Sequence, residues 1–397
     1  MQARAALMLC AIGNAALTAL RRCLFARAMP AEVRRVCIYR IGNIGDTTCA
    51  IPAMYAIRRA FPSAEIVLVT SPGARGKPGA AELLSNVSWL SDIAVYYRED
   101  ISGLRGRLRW IGGLRRRRFD AWIELPVENA TFRTLLRNIL ATRAAGVRWG
   151  RGWLMDRSRL FARAQSEVFD FPTETVRLLA MVAELGIPIP EAARPEFPLE
   201  LGDIERRAVD AIFAARGVKD APMVALAPGA KREPNRWPAM RFIEVGRHLA
   251  ATGRAVVLLG GDGDAPVCQS IARSIGANAV SLVGITSIRE SCEVLRRCEM
   301  LVCNDSGVQH LAAAVGTPCV SIFSCRDFPG KWFPHGDQHI VLRKWVECHT
   351  CLLDRCPYDN RCIGLVTAAE AIAAADAILA TAHDNAVSTP RAAAAQH

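Results

Sequence analysis

The sequence lacks the glycine fingerprint with which dinucleotide-binding enzymes hold a pyrophosphate. Its first glycine loop, residues 40–46, reads RIGNIGD, so Gly42 and Gly45 do not form GxGxxG, and no lysine follows as it does in a P-loop. A nicotinamide-dependent dehydrogenase is therefore disfavoured. The loop still joins a β-rich run at 36–39 to a helix predicted over 47–60, an arrangement that faces a ligand in α/β proteins.

Acidic residues are absent from residues 101–118, which contain seven arginines. The first 200 residues carry 29 Lys and Arg against 18 Asp and Glu, whereas the remainder carries 21 against 20, so nearly all of the net charge of +12 lies in the first half. This asymmetry predicts an anionic partner: a phosphorylated glycolipid, a membrane surface or nucleic acid. Nucleic acid is the weakest of these, because aromatic residues do not interleave with the arginines to form a stacking surface.

Arginine forks match phosphate oxygens in pairs, which makes Arg115 and Arg116 candidates for contacts with a phosphorylated acceptor or with lipid headgroups. A solvated helix face is the alternative interpretation of the same segment.

The N-terminal apolar run, residues 5–20, is short for a membrane-spanning helix, which needs about 20 apolar residues. Arg21, Arg22 and Arg27 follow it where a secretory signal would have its cleavage site. Arginines at both ends favour a helix, within residues 1–30, that lies in the membrane interface or packs on the protein.

The cysteines do not form the pattern of a disulfide scaffold. Fourteen are spread along the chain, and Cys37, Cys303 and Cys319 lie in apolar runs, which favours a reducing compartment and a cytoplasmic protein. A C-terminal group could form a tetrahedral zinc site, although its second pair is spaced too widely for the usual twin pattern. Disulfides and plain reduced thiols are the alternatives. The four residues are Cys348, Cys351, Cys356 and Cys362.

The length of 397 residues predicts two domains. A proline-rich linker at 188–202 separates a first α/β domain, residues 31–187, from a second at 203–383, and a disordered tail is predicted at 384–397. Strands and helices alternate in both domains, which predicts two Rossmann-like domains that face a central cleft. Ligands bind in such clefts at the carboxyl ends of the strands.

One stretch of the second domain, residues 300–323, predicts a complete strand–helix–strand unit. An apolar run at 300–303 leads into Asn304-Asp305-Ser306-Gly307, a helix is predicted at 310–315, and a second apolar run occupies 319–323. Free N–H groups at the start of such a helix make this elbow a phosphate or ribose site. The alternative is a structural turn in which Asp305 or Ser306 only caps the helix.

Two further loops of the second domain follow predicted strands. In residues 228–238, Gly229 and Ala230 allow close backbone approach to a phosphate, and Lys231 and Arg236 supply positive charge. In residues 260–264, Asp264 could accept from a ribose hydroxyl or could cap the next helix. The D-x-D spacing that it forms with the aspartate at 262 is weak support for a metal, and no metal is expected for the chemistry.

Together these motifs resemble glycosyltransferase family 9, the heptosyltransferases that build the inner core of lipopolysaccharide. The resemblance rests on RIGNIGD at 40–46 with the proline at 52, on PGA at 228–230 with RWP at 236–238, and on NDSG…HLAAA…GTP between 304 and 318. It implies a GT-B fold in which the first domain binds an anionic, lipid-linked core saccharide and the second binds ADP-heptose. It also implies a peripheral location at the inner face of the cytoplasmic membrane.

The resemblance implies a role for each matching residue. Asp46 matches the proposed general base, which takes the proton of the acceptor hydroxyl in an inverting transfer. Arg40 and Asn43 of the same loop are expected to contact the acceptor. The donor-binding set consists of Gly229, Ala230, Lys231, Arg236, Asp264, Asp305, Ser306, Gly307 and His310.

The chain departs from the family at Asn235, where a lysine thought to neutralise the donor phosphates is usual. Arg236, Lys231 or Arg232 must compensate, or the donor or the activity has changed. Two alternatives to heptosyl transfer are therefore open: a family relative that uses another nucleotide-sugar, and a non-catalytic protein that binds sugar-nucleotides or membranes.

Overall fold

The computed structural model describes residues 2–156, 171–187 and 195–388. The first part of the predicted linker, with Pro188 and Pro190, lies outside the described residues. The contacts divide the chain into two compact units. Unit 1 comprises Met1–Glu200 with Phe328–Lys331, and unit 2 comprises Leu201–Asp327 with Trp332–His397. The assignment of Phe328–Lys331 to unit 1 is not predicted by the sequence.

Unit 1 is built on a parallel sheet of five strands in the order β3-β2-β1-β4-β5. The buried strands are mostly apolar on both faces, as is usual for parallel strands covered by helices, with Glu124 at the end of β4 as a buried exception. Its elements are α1 (Gln2–Leu24), β1 (Arg35–Tyr39), α2 (Ile44–Ala60), β2 (Glu65–Thr70), α3 (Ala80–Leu83), β3 (Asp92–Val95), α4 (Gly103–Arg116), β4 (Ala121–Glu124), α5 (Phe132–Ala144), β5 (Trp149–Arg151) and α6 (Glu174–Ala183).

Unit 2 is built on a parallel sheet of six strands in the order β11-β10-β9-β6-β7-β8. Its elements are α7 (Asp203–Arg216), β6 (Met223–Ala227), α8 (Ala239–Ala251), β7 (Ala255–Leu258), α9 (Ala265–Ile275), β8 (Ala279–Ser281), α10 (Ile288–Arg297), β9 (Met300–Asn304), α11 (Gly307–Ala314), β10 (Cys319–Phe323), β11 (Ile340–Arg343), α12 (Arg361–Gly364) and α13 (Ala368–Ser388). The core lies between the sheet and its helices, and α8, α9 and α13 supply much of it.

The last helix, α13, continues to Ser388, into the segment for which the sequence predicts a disordered tail. The helix as a whole is rich in alanine, which has the highest intrinsic helix propensity, and residues 384–388 continue it. Residues 389–397 of the predicted tail lie outside the described residues.

The N-terminal helix α1 is apolar enough, over Ala5–Leu24, to be a candidate membrane span by length and composition alone. Leu17 is buried in the core of unit 1, whereas Met8, Leu9 and Ile12 are more than half exposed. The helix therefore packs on the protein along one face and leaves apolar side chains exposed on another.

Candidate functional site

The topology of the unit 2 sheet indicates where a ligand would bind. From β6 the chain moves to β7 and β8 on one side, and β9 and β10 then lie on the other side of β6. Ligands bind at such a switch point, at the carboxyl ends of the strands. The loops that leave β6 and β9 there are residues 228–238 and 305–306, and both belong to the predicted donor site.

A hydrogen-bonded network of side chains fixes Asp305 at the end of β9. Asn235 Nδ2 donates to Asp305 Oδ2 at 2.7 Å, and Ser324 Oγ donates to Asn235 Oδ1 at 2.7 Å. Gln309 Nε2 lies 3.3 Å from the other carboxylate oxygen of Asp305. The network joins the carboxyl ends of β6, β9 and β10. The sequence did not assign Ser324 or Gln309 to the site, and it singled out Asn235 only as a departure from the family.

Burial raises the pKa of Asp305 to about 7, and the neighbouring carboxylate of Asp327 adds to this rise. Arg326, Arg232 and the hydrogen bond from Asn235 act in the opposite direction. Asp305 therefore changes its protonation state near neutral pH. Arg326 and Asp327 lie in the loop that leaves β10, and that position after a buried strand is the signal that would have found them.

The rest of the elbow lies at the N-terminus of α11. Ser306 is the N-cap residue, and its Oγ is buried with no hydrogen-bond partner among the described residues. Gly307 begins the helix, and His310 is buried with its ring centroid 6.3 Å from that of Trp332. The structure thus brings Asp305, Ser306, Gly307 and His310 together at the positive end of a helix dipole.

The loop after β6 is held against the loop after β7 through Gly229 and Asp264. A Cβ at Gly229 would lie 2.2 Å from Asp264 Oδ2, so only glycine leaves room for the carboxylate. Asp264 Oδ2 also accepts from Gly261 N at 3.0 Å, which caps the short 3-10 turn Asp262–Asp264, whereas its side chain makes no capping hydrogen bond to α9. Arg236 Nε donates to Ala230 O at 2.9 Å, which holds this cation against the β6 loop.

Lys231 is exposed on the β6 loop, and Arg232 beside it forms an ion pair with Asp354. The structure therefore gathers the predicted donor residues around the ends of β6, β7 and β9. The charges of Arg232 and Arg326 act on Asp305 in this site, and of these two cations the sequence named only Arg232.

In unit 1, Asp46 lies in the first turn of α2, directly beyond β1. Asn43 N donates to Asp46 Oδ2 at 3.0 Å, and Arg40 Nη2 lies 3.8 Å from Asp46 Oδ1. The Asp46 side chain is 24% exposed. The glycine loop thus presents a partly exposed carboxylate at the carboxyl end of a strand, as a base for a bound hydroxyl requires.

Arg40, predicted to contact the acceptor, is only 1% exposed. Its guanidinium donates to the carbonyl oxygens of Leu125, Pro126 and Asp46. This burial contradicts a direct contact with an acceptor, because Arg40 instead satisfies carbonyl groups at the ends of strands and at the start of α2. Asn43, by contrast, is exposed beside Asp46.

Arg115 and Arg116 lie in the last turn of α4 and are exposed. The neighbouring Arg117 accepts through its carbonyl oxygen from Arg35 Nη1 at 2.8 Å, and Arg35 begins β1. Since Asp46 follows the opposite end of β1, the structure does not bring these two arginines to the predicted base. Arg75, in the loop after β2, is a basic residue at the Asp46 end of the sheet that the sequence did not single out.

The four C-terminal cysteines are not arranged as a metal site. Within the described ranges, no group of three or more His, Cys, Asp or Glu side chains could hold a metal ion. Cys362 is buried against Cys325 instead, and the hydrogen bond from the Cys325 thiol lowers the pKa of Cys362. Cys325 follows a buried strand, and only the tertiary fold brings it to Cys362.

Comparisons with known proteins agree on one family. The sequence profile of glycosyltransferase family 9 (heptosyltransferase) matches residues 107–361. Lipooligosaccharide heptosyltransferase 2 of Haemophilus influenzae is 30% identical over 129 residues, which are 31% of this chain and 37% of the relative. The matched region thus spans well under two thirds of that relative.

Solved structures share the fold at low sequence identity. A glycosyl transferase family 9 protein from Veillonella parvula has a TM-score of 0.72 at 17% identity, with coverage of 89% of this chain and 100% of that one. E. coli heptosyltransferase WaaC with ADP-2-deoxy-2-fluoro heptose has a TM-score of 0.61 at 18% identity, with coverage of 86% and 99%. The predicted GT-B fold is confirmed. With two parallel α/β sheets, the predicted motif residues at the strand ends and a family profile over most of its length, this chain belongs to glycosyltransferase family 9, the heptosyltransferases.

Proposed function

We propose that the protein transfers a heptose-like sugar, with inversion, from ADP-heptose to an anionic lipopolysaccharide core acceptor. The family match over residues 107–361 is the observation that carries this proposal. The solved heptosyltransferase WaaC in complex with an ADP-heptose analogue supports the donor, and the lipooligosaccharide heptosyltransferase 2 relative supports the acceptor.

Each unit has its own part in the reaction. The Asp46 carboxylate accepts the proton of the acceptor hydroxyl while that oxygen attacks the anomeric carbon, and the nucleoside diphosphate leaves as an anion. Backbone N–H groups at Gly229 and Ala230, with the cations Lys231 and Arg236, meet the diphosphate. Asp264 and the elbow from Asp305 to His310 orient the nucleotide and the sugar.

Release of ADP from ADP-heptose in the presence of a deacylated core acceptor tests the reaction. The wild-type protein should release ADP, and Asp46→Asn should abolish turnover because an amide cannot accept the proton. Turnover that persists in this variant would remove Asp46 from its role.

Donor affinity tests the division of labour between the units. Asp305→Ala should weaken ADP-heptose binding, whereas Asp46→Ala should leave it unchanged, with both variants checked for folding by circular dichroism. An equal loss of donor affinity in the two variants contradicts this division.

The neutral Asn235 in the donor site is the observation that favours a second candidate, a different nucleotide-sugar. A thermal-shift panel of ADP-, UDP- and GDP-sugars separates the two, since the true donor gives the largest stabilisation. Donor binding without ADP release on any acceptor would instead support a non-catalytic binding protein.

We also propose a peripheral location at the inner face of the cytoplasmic membrane. Exposed apolar side chains lie on α1, at Leu9 and Ile12, and on α4, at Leu104 and Leu108. Both helices pack against α5 of unit 1. The segment that contains α4 carries arginines and no acids, which suits an anionic lipid surface.

Flotation with phosphatidylglycerol-containing vesicles tests this location. The protein should bind, and binding should weaken with salt, because exposed charges are screened within about 10 Å at 0.1 M salt. Leu9→Asp/Ile12→Asp should reduce binding. Ile204→Asp, a matched change of an exposed residue on α7 of unit 2, should not. An equal loss of vesicle binding in the α1 variant and the α7 variant contradicts the proposal that α1 contacts the membrane.

A structural zinc rests on the spacing of the four C-terminal cysteines alone. Metal analysis of purified protein tests it: about one zinc per chain supports the site, and a metal-free folded protein removes it.

A further inference from the structure

Two arginines of unit 1 share one buried carboxylate, that of Glu174 in the first turn of α6. Arg177 binds it with both arms of its fork, Nε at 2.6 Å from Oε2 and Nη2 at 2.7 Å from Oε1. Arg40 Nη2 lies 3.3 Å from the same Oε1. The side chain of Glu174 has no exposed area. Glu174 is therefore ionised between two guanidinium groups, which lower its pKa although burial alone would raise it.

Arg40 also has a second carboxylate within reach. Its Nη2 lies 3.8 Å from Asp46 Oδ1, longer than the 3.3 Å to Glu174. The same nitrogen donates to Asp46 O at 3.2 Å, and Nη1 donates to Pro126 O at 3.0 Å. Arg177 Nη2 donates to Pro126 O as well, at 3.1 Å. Arg40 is thus held at the Glu174 side of the space between the two carboxylates.

We infer that Glu174 is a positioning residue for the base: it retains Arg40, and thereby keeps the guanidinium 3.8 Å from the Asp46 carboxylate, beyond hydrogen-bond distance, so that the carboxylate can accept a proton. This inference rests on the proposed role of Asp46 in the reaction. Removal of the Glu174 charge would free Arg40 to pair with Asp46. A carboxylate paired with a guanidinium is stabilised in its ionised form and is a weaker base.

Other charged groups lie around Glu174 and Arg40 and contribute to the electrostatic potential there. The network continues from Arg177 and Glu174 to a buried lysine, Lys331, whose Nζ lies 2.8 Å from Asp156 and 3.4 Å from Glu128. The Lys331 carbonyl oxygen accepts from Glu174 N at 2.9 Å. The charged and titratable groups that face Glu174, Arg40 or Asp46 are Arg177, Lys331, Glu128, Asp156 and the thiol of Cys49.

The test is the pH–rate profile of ADP release by the full chain carrying Glu174→Gln. The kcat should fall about tenfold or more, since general base catalysis contributes about 10²–10⁴-fold. The KM for the donor should change less than about twofold, because no donor residue is altered. The rising limb of the profile should move to lower pH by about one unit.

Glu205→Gln is the matched control. Glu205 is a buried glutamate in unit 2 that pairs with Arg289 at 2.6 Å, so the substitution removes the same kind of charge far in sequence from Asp46. It should leave the midpoint of the pH–rate profile unchanged. An equal shift in this control would overturn the inference, because the effect would then be a general consequence of lost stability.

Glu174→Gln leaves two buried guanidinium groups with one counter-charge fewer, which can prevent folding. Glu174→Gln/Arg177→Met restores the charge balance and should show the same shift to lower pH. Glu174→Asp keeps the charge and should keep the midpoint. A folded protein without the Glu174 charge, but with wild-type kcat and profile, overturns the inference. If Asp46→Asn remains active, by contrast, the proposed function itself has failed.

Discussion

At the scale of single residues, the donor site depends on a close approach that only glycine permits. Gly229 lies against the Asp264 carboxylate, which in turn accepts from the backbone of its own loop. The carboxylate therefore couples the loops after β6 and β7, and a side chain at Gly229 would separate them.

Gly229→Ala should weaken nucleotide binding by about 1–3 kcal/mol, the cost of overpacking, because the Asp264 carboxylate must move. This corresponds to a rise of about 5- to 150-fold in Kd. Isothermal titration with ADP measures it.

Gly263→Ala is the control in the neighbouring loop, where an added Cβ meets nothing within 4 Å. Its Kd should stay within about twofold. A Gly229→Ala protein that binds ADP as well as this control does would show that the loop contact is dispensable.

At the scale of elements, the start of α10 is fixed by a serine and a glutamate three residues apart. Glu290 N donates to Ser287 Oγ at 3.2 Å, and Ser287 N donates to Glu290 Oε2 at 2.6 Å. These two bonds form a capping box, which satisfies two backbone donors that the helix itself leaves free. Because all the partners are local, the spacing of serine and glutamate is enough to predict it.

Ser287→Ala should lower the free energy of unfolding by about 0.5–2 kcal/mol, the usual cost of losing an N-cap. Urea denaturation measures this change, and ADP affinity should be unaffected since the cap lies outside the donor loops. Ser270→Ala, an exposed position inside α9, should be neutral or slightly stabilising because alanine favours helix. If the two variants are equally stable, the cap contributes nothing.

At the scale of the whole molecule, each unit contains a buried carboxyl whose pKa is raised to about 7. Burial is the main cause for both Glu124 in unit 1 and Asp305 in unit 2. A raised folded-state pKa penalises the ionised form, so stability is lost as pH rises from the unfolded-state pKa towards 7. Below the unfolded-state pKa both states are protonated and the penalty is absent.

Glu124→Gln and Asp305→Asn should each remove this part of the pH dependence. Relative to wild type, each variant should gain about 2–3 kcal/mol of unfolding free energy between pH 5 and pH 8, since the penalty grows over roughly two pH units and one unit of pKa shift corresponds to about 1.4 kcal/mol. Urea denaturation at the two pH values measures the gain. A difference from wild type that stays constant with pH would show that these carboxyls are ionised throughout.

Much of the fold could be predicted because its signals are local. Apolar runs bounded by glycine, proline and polar residues predict β6 at Met223–Ala227 and β1 near residue 36, and the structure has both strands. The elbow at Asp305 was predicted for the same reason, since a polar cluster follows directly after a buried strand. The helix that follows this elbow starts at Gly307, whereas the sequence predicts a start at residue 310. The reason is that helical backbone hydrogen bonds form before the apolar face of the helix begins.

The sequence by itself determined the α/β class, the glycine loop with Asp46 and the loops that carry the donor residues, since these depend on short apolar and polar patterns. Only the tertiary structure decided which distant residues meet. It buried Arg40 between Glu174 and Asp46, bonded Asn235 to Asp305 and Ser324, and left Arg115 at the opposite end of the sheet. These pairings depend on strand order and on desolvation of buried charges, and neither is encoded in local sequence spacing.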